Sequence, residues 1–160
     1  MAGLKLLVVS TPMGPLGQGL GGGVELTLEA VLESLHRRGH AVSLVAAAGS
    51  QLPSTPLQQS WLEPGVPQPS WQHQPRQAPV QMPADGLLPR FWQRALAEQQ
   101  HFDAVLNLGY DWLPLWLTPQ FQTPLCHLVS MGSVGEAMDQ VIAVAAQQFP
   151  AQLAFHTASQ

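Results

Sequence analysis

The residues best suited to chemistry lie in three short stretches, each where regular structure is expected to begin or end. Gly21, Gly22 and Gly23 directly precede a segment with helical periodicity. The start of a helix offers unpaired N–H groups and the positive end of the dipole, and glycine lets an anion approach that backbone closely. These glycines are therefore a candidate phosphate or carboxylate site. The alternative is that they only make a tight turn into the helix.

The second stretch follows a predicted strand and contains Tyr110, Asp111 and Trp112. Asp111 is a candidate for orienting an acceptor hydroxyl or amine. The alternative is that its side chain caps the helix that follows. Trp112 and Trp116 have the spacing of one helical face, so they either stack a flat heterocycle or pack into the core.

The third stretch, Ser130, Met131 and Gly132, follows another predicted strand. Open α/β sheets bind ligands at the carboxyl ends of their strands, so this place favours contact with a ligand. His127 lies inside the strand and is interpreted as a core histidine with satisfied hydrogen bonds. No metal site is predicted, because no zinc-ligand spacing joins it to the other histidines, namely His36, His40, His73, His101 and His156.

The elements that must position these residues alternate between strands and helices. Leu4 to Val9 and Ala41 to Ala46 are apolar runs typical of buried strands. Between them, from Val24 onward, apolar residues recur at helical spacing until Gly39, a typical C-terminal cap. Glu25 in the first helical turn is interpreted as compensating the helix dipole. Strand, helix and strand in close succession form a βαβ unit, which requires a parallel sheet.

The rest of the chain extends this pattern to one α/β domain over residues 1–160, with a Rossmann-like parallel sheet flanked by helices. Helices are predicted over residues 87–100, 111–117 and 138–149, and strands over 102–107, 125–129 and 153–155. Residues 47–85, rich in Pro and Gln, interrupt it as either a loop region with short edge strands or a partly disordered excursion. Disorder is favoured for much of this excursion, although Trp61 and Trp71 indicate that parts pack down.

Composition excludes several classes of protein. Charged residues make up 10% of the chain and the net charge is -4, so neither nucleic acid nor an anionic membrane is expected as a partner. No segment has the length of a membrane span, the single Cys126 excludes an internal disulfide, and a cytoplasmic location is predicted. Gly17 to Gly22 match G-x-G-x-x-G, but too far beyond the strand for NAD binding, and no lysine follows them as in a phosphate-binding P-loop.

The chain resembles the N-terminal half of the group 1 glycosyltransferases with the GT-B architecture. Three segments carry the resemblance: Gly22-Gly23-Val24-Glu25 opening a helix, Arg37-Arg38-Gly39-His40-Ala41-Val42, and Phe102-Asp103-Ala104-Val105 leading into Tyr110-Asp111-Trp112-Leu113. Within that family, three further stretches are most similar to the cyanobacterial enzymes that glucosylate tetrahydrobiopterin from UDP-glucose: Gly14-Pro15-Leu16-Gly17, Asn107 to Pro114, and His127 to Ser133.

The resemblance implies transfer of a sugar from a nucleotide sugar to a small acceptor, with no tightly bound cofactor. The narrower similarity implies UDP-glucose as donor and tetrahydrobiopterin as acceptor. It also implies a C-terminal donor-binding domain, absent from these 160 residues, without which the chain is expected to be inactive. A stand-alone nucleotide or small-molecule binding module is the first alternative. An interaction domain whose proline-rich segment engages a partner is the second.

The resemblance also implies roles for individual residues. The helix-start glycines, Gly21 to Gly23, would contact the donor diphosphate from across a cleft, and Asp111 and Ser130 are the catalytic candidates. Contacts with the acceptor are expected from the residues around them, namely Tyr110, Trp112, Met131 and Gly132. Many relatives carry a histidine where Ser130 stands. Its role is therefore filled differently here, or this stretch contributes mainly backbone contacts.

Overall fold

The computed structural model describes residues 2–159, which form an α/β domain around a six-stranded, all-parallel sheet in the order β3-β2-β1-β4-β5-β6. The strands are β1 (Lys5–Val9), β2 (Ala41–Ala47), β3 (Gln59–Glu63), β4 (Ala104–Asn107), β5 (Leu125–Val129) and β6 (Leu153–Phe155). The α-helices are α1 (Gly23–Arg37), α2 (Leu87–Glu98), α3 (Trp112–Leu117) and α4 (Glu136–Gln148). The predicted α/β class with a parallel, Rossmann-like sheet is confirmed.

The direction of strand addition reverses at β1. The chain first builds β2 and β3 on one side of it, then returns to add β4, β5 and β6 on the other. In register, Val9 at the end of β1 neighbours Asn107 at the end of β4, which in turn neighbours His127 of β5. The loops that leave these strands therefore emerge side by side, at the switch point where open α/β sheets bind ligands.

Helices cover both faces of the sheet because the central strands are apolar on both sides. Leu28 and Leu32 of α1 pack on one face against Val8 and Leu44. On the other face α2 buries a larger cluster with its neighbours, which includes Leu7, Val45, Phe91, Trp92 and Val105. This double burial explains the unbroken apolar runs of β1 and β2.

The element boundaries differ from the sequence prediction by up to two residues. The predicted strand over 102–107 begins only at Ala104, since Phe102 packs edge-on against Trp61 and the Asp103 carboxylate accepts the N–H of Lys5 at 2.7 Å. The fourth helix begins at Glu136 rather than residue 138. Such differences are ordinary at element ends.

The proline-rich excursion, residues 47–85, forms regular structure at two places. Strand β3 pairs with β2 at the edge of the sheet, where prolines nearby are tolerated. Further along, Trp71 begins a short 3-10 turn, Trp71–His73, and its side chain is only 5% exposed. The disorder predicted for much of residues 47–85 is therefore wrong at these two places, and the expectation that Trp61 and Trp71 pack down is confirmed.

Candidate functional site

A cleft of about 440 Å³ opens where the loops after β1, β4 and β5 meet the start of α1. It is lined by residues 19–24, by residues 69–73 of the excursion, and by the two strand-end pairs Tyr110 with Asp111 and Ser130 with Met131. The volume suits a small-molecule ligand. The structure thus brings residues from all three predicted stretches to one place, together with a fourth segment that the sequence analysis did not assign to the site.

The three glycines at the start of α1 differ in whether the backbone or the surrounding atoms require glycine there. Gly22 is the N-cap, with φ 56° and ψ −133°, a backbone conformation that strains any other residue. A Cβ on Gly21 would lie 2.8 Å from Cγ of Glu25 and 3.1 Å from Cγ2 of Thr11. Gly23 has neither constraint, because nothing lies within 4 Å of its Cβ position. The tight turn explains Gly21 and Gly22 but leaves Gly23 without a structural reason.

Glu25 folds back over the loop that precedes its own helix. Its two carboxylate oxygens accept the N–H groups of Gly21 at 3.2 Å and of Gly17 at 3.1 Å. The Gly21 amide is therefore already paired, which argues against its predicted hydrogen bond to a diphosphate. The amides of Gly22 and Gly23 have no acceptor among residues 2–159. Among residues 2–159 the cleft lining holds no Lys or Arg, so at the start of α1 these two amides and the helix dipole are the groups that can attract an anion.

The different constraints on Gly22 and Gly23 predict opposite effects on stability. We expect Gly23→Ala to raise the free energy of unfolding by about 0.5–1 kcal/mol, because alanine favours the helix and its methyl group meets open space. Gly22→Ala should lower it by about 1 kcal/mol or more, since its positive φ opposes a side chain. Urea denaturation of the two variants measures both changes. Destabilisation by Gly23→Ala would contradict the assignment of Gly23 as structurally unconstrained.

Asp111 is a buried carboxyl at the cleft, with 4% of its surface exposed. It occupies the N-cap position of α3, but its side chain makes no capping hydrogen bond, so the capping interpretation is wrong. Instead, Oδ1 accepts the indole N–H of Trp71 at 3.1 Å. Burial raises the pKa of Asp111 to about 7, against the opposing effect of the Trp71 hydrogen bond. A carboxyl that titrates near neutrality can accept or release a proton at the cleft.

Tyr110 joins the loop after β4 to the loop after β5. Its hydroxyl donates to the carbonyl oxygen of Gly132 at 3.2 Å. Burial, and secondarily the negative charge of Asp139, raises the pKa of Tyr110 to about 12, so the phenol stays neutral. Tyr110 and Met131, two of the expected acceptor contacts, line the cleft, whereas Gly132 lies outside the lining and contacts Tyr110 through its carbonyl oxygen.

Ser130 lines the cleft, and its hydroxyl has no hydrogen-bond partner among residues 2–159. Its Oγ is buried and makes no hydrogen bond within residues 2–159. Of the described side-chain atoms in this condition, those of Ser10, Gln68 and Gln152 belong to residues outside the cleft lining. A buried hydroxyl without a partner requires an explanation, and at Ser130 a ligand atom would supply the missing hydrogen bond.

Trp112 was predicted to contact the acceptor, but it lies outside the cleft. Its ring stacks on Trp116, with centroids 5.5 Å apart and planes at 17°, and neither residue lines the cleft. The core-packing alternative fits Trp112, which packs beside α4, but not Trp116, which is 56% exposed. Stacking of a flat acceptor on Trp112 is not supported.

His127 is fully engaged within the core, as the sequence analysis expected. Asn107 uses its amide oxygen to accept the Gly109 N–H at 2.9 Å, so its NH₂ group faces Nδ1 of His127 at 3.0 Å. The neutral ring then carries its hydrogen on Nε2, which donates to Oγ1 of Thr118 at 2.9 Å. That hydroxyl donates in turn to the carbonyl oxygen of Leu115 at 2.8 Å. Burial lowers the pKa of His127 to about 4.

Trp71 and His73 are cleft residues that the sequence analysis did not assign to a site. The available signal was the presence of two large aromatic residues, Trp61 and Trp71, in an otherwise polar, proline-rich segment. A tryptophan there must either be exposed or find a pocket, and Trp71 finds one. No sequence pattern, however, indicates that its partner lies forty residues away.

Comparison with known proteins does not add to this description. The sequence matches no protein-family model, and no curated protein matches it significantly. In the described part of the chain, no helix is long and apolar enough to cross a membrane. Within residues 2–159, no three His, Cys, Asp or Glu side chains group so that they could hold a metal ion. The glycosyltransferase interpretation therefore rests on the sequence resemblance and on the geometry of the cleft.

Proposed function

We propose that this chain is the acceptor-binding half of a glycosyltransferase. In the proposed reaction an acceptor hydroxyl attacks the anomeric carbon of a nucleotide sugar, with UDP-glucose as donor and tetrahydrobiopterin as acceptor in the narrower resemblance. The observation that carries the proposal is that Asp111 and the free amides of Gly22 and Gly23 share one cleft. A proton acceptor and an anion-stabilising helix start are the two groups that such a transfer needs from this side.

The proposed chemistry assigns one task to each group. As the bond forms between the acceptor oxygen and the anomeric carbon, the proton of that hydroxyl passes to Asp111. The bond between the sugar and the diphosphate breaks, and the departing diphosphate keeps the electron pair. Gly22 and Gly23 stabilise that charge with N–H groups that carry no full charge of their own. Ser130, which lines the cleft, is the residue assigned to hold the acceptor or the sugar.

The electrostatics of the cleft favour the acceptor side over the donor side. In the described part of the chain its lining contains no Lys or Arg, and the Glu25 carboxylate already accepts the Gly21 amide at the helix start. Two amides alone give a diphosphate a weak hold, so tight donor binding requires basic residues from elsewhere. The same observations favour a second candidate function, a stand-alone module that binds a small uncharged molecule without chemistry.

Two measurements separate these functions. We expect the native reading frame to continue beyond the codon for Gln160 into a second βαβ region with a basic residue for the diphosphate and two glutamates on one helix face. A stop codon there would exclude the transferase and leave the binding module. Calorimetric titration of the chain should detect tetrahydrobiopterin, with binding weakened about tenfold or more by Asp111→Ala through the loss of a charge-assisted hydrogen bond. An unaltered affinity in that variant would remove Asp111 from the acceptor site.

Gly23→Ala supplies the matched test of the glycine site. The variant is expected to fold at least as stably as the parent chain, so any weaker binding of UDP-glucose reports blocked approach to the helix start rather than damage to the fold. We expect UDP-glucose to bind the chain weakly and Gly23→Ala to reduce that binding further. Equal donor affinity in the two chains would count against the glycine site.

A further inference from the structure

Residues 69–77 of the excursion, here termed the strap, contribute residues 69–73 to the wall of the cleft and make side-chain contacts on both sides of this stretch. At one end Trp71 is buried and its indole N–H donates to Asp111. At the other end Arg76 contacts Oδ2 of Asp139 at 2.7 Å and donates to Oγ of Ser133 at 2.9 Å. The strap therefore joins the excursion to the loops that follow β4 and β5.

The place occupied by the Trp71 ring is kept open by a glycine. A Cβ on Gly135 would lie 3.1 Å from Cε3 and 3.4 Å from Cζ3 of the Trp71 ring. Gly135 has φ −155°, an extended conformation that any residue adopts, so its backbone does not require glycine. Close packing of the ring gives the physical reason for glycine at this position.

Asp111 depends on this arrangement for its orientation. The carboxyl is buried, and the Trp71 N–H is its hydrogen-bond donor among residues 2–159. Its second oxygen, Oδ2, makes no hydrogen bond in that part of the chain. Without the indole the carboxyl has two equivalent oxygens and no donor to hold its plane, whereas with it Oδ2 remains for a ligand.

We propose that Trp71 is the positioning residue of this cleft, whose indole N–H holds the Asp111 carboxyl so that one oxygen stays available to the bound molecule. The inference rests on the proposed function only for what that molecule is. The hydrogen bond and its effect on the carboxyl are properties of the chain itself. Through Trp71, the position of the strap affects the orientation and the pKa of the Asp111 carboxyl.

The other charged and titratable groups around Asp111 are few. Tyr110 precedes it in the chain and is neutral at physiological pH, while His73 on the strap and His156 after β6 also line the cleft. Arg76 and Asp139 form an ion pair with each other, so their effects on the cleft largely offset. On α1, Glu25 is bound to the glycine loop. None of these groups donates a hydrogen bond to Asp111, which leaves Trp71 as the contact to test.

The test measures the titration of Asp111 directly. Labelling aspartate with ¹³C at Cγ gives four carboxyl signals, for Asp85, Asp103, Asp111 and Asp139, and Asp111→Asn identifies the relevant one. Trp71→Phe keeps most of the ring and removes the N–H that stabilises the ionised carboxyl. We expect it to raise the titration midpoint of Asp111 by about one pH unit.

Two further variants make the outcome decisive. Gly135→Ala keeps the indole N–H but pushes on the ring, and should raise the same midpoint by a smaller amount even if Trp71→Phe fails to fold. Trp61→Phe, a change at the partly buried tryptophan of the excursion, should leave it unchanged. An unchanged midpoint in folded Trp71→Phe, or in Gly135→Ala, overturns the proposal. The titration needs no ligand, so failure of the chain to bind an acceptor would refute the proposed function and leave this result standing.

Discussion

Asp111→Asn is expected to stabilise the folded chain at neutral and alkaline pH while removing the proton acceptor of the cleft. Asparagine matches the shape of the protonated carboxyl, and its amide oxygen still accepts the Trp71 N–H. It carries no charge that burial would penalise. A substitution that strengthens the fold and weakens function is typical of a functional site, where the native residue is held in an unfavourable state.

The direction of the pH effect follows from the raised pKa. Asp111 titrates at about 7 in the fold and near 3.8 in the unfolded chain, so between these values the folded state binds more protons. Stability is therefore greatest below about pH 4 for this group and is lost as pH rises through 7. The loss reaches up to about 4 kcal/mol, from 1.36 kcal/mol per unit of pKa shift. Asp111→Asn abolishes it.

Urea denaturation at several pH values measures this effect. At pH 8 we expect Asp111→Asn to have the larger free energy of unfolding, and near pH 4 the two chains should converge. Asp85→Asn is the matched control, since Asp85 is an exposed carboxyl without a side-chain hydrogen bond among residues 2–159. A difference between Asp111→Asn and the parent that does not change with pH would show that Asp111 is not buried with a raised pKa.

The fold was predictable because its signals are local. The apolar runs of β1 and β2 and the helical spacing of α1 each arise within a few residues, and the parallel arrangement follows from their order. Strand β3 was not located, because Gln59–Glu63 is an edge strand, partly exposed and polar in composition. Edge pairing depends on the neighbouring strand more than on the sequence of the edge itself.

The candidate site was predictable only as far as strand ends indicate it. The positions of Asp111 and Ser130 follow from the general rule that ligands bind where parallel strands end. The pairing of Gly21 with Glu25 does not, because it requires the loop to fold back on its own helix. Trp112 shows the same limit, because helical spacing identified a common face with Trp116 but not that this face points away from the cleft. Contacts between distant segments decide which residues reach the ligand.

Replacement of His127 is expected to be the most damaging single change to the polar part of the core. His127→Leu removes the acceptor of the Asn107 NH₂ group and the donor to Thr118, in a core where water cannot replace them. Leaving these groups unpaired should cost about 2–4 kcal/mol of stability at pH 7. The effect should reach the cleft as well, because Asn107 also holds the Gly109 N–H just before Asp111.

The lowered pKa of His127 gives its contribution a pH dependence opposite to that of Asp111. The ring titrates at about 4 in the fold and near 6.5 when unfolded, so between these values the unfolded chain binds more protons. Stability from this group is present above pH 6.5 and is lost as pH falls to 4, by about 3 kcal/mol. His127→Gln, which keeps an acceptor and a donor but cannot become charged, should remove this loss at acid pH.

The two opposite effects act over nearly the same pH interval, so the parent chain should conceal both. Between pH 4 and 6.5, acidification stabilises the protonated Asp111 carboxyl while it destabilises the neutral His127 ring, and the net slope should be small. Asp111→Asn should then expose a steep loss of stability on acidification, and His127→Gln a steep loss on raising the pH. If the double variant is flat and each single variant slopes in its own direction, the two buried groups account for the profile. Parallel slopes in the two single variants would contradict at least one of the assigned shifts.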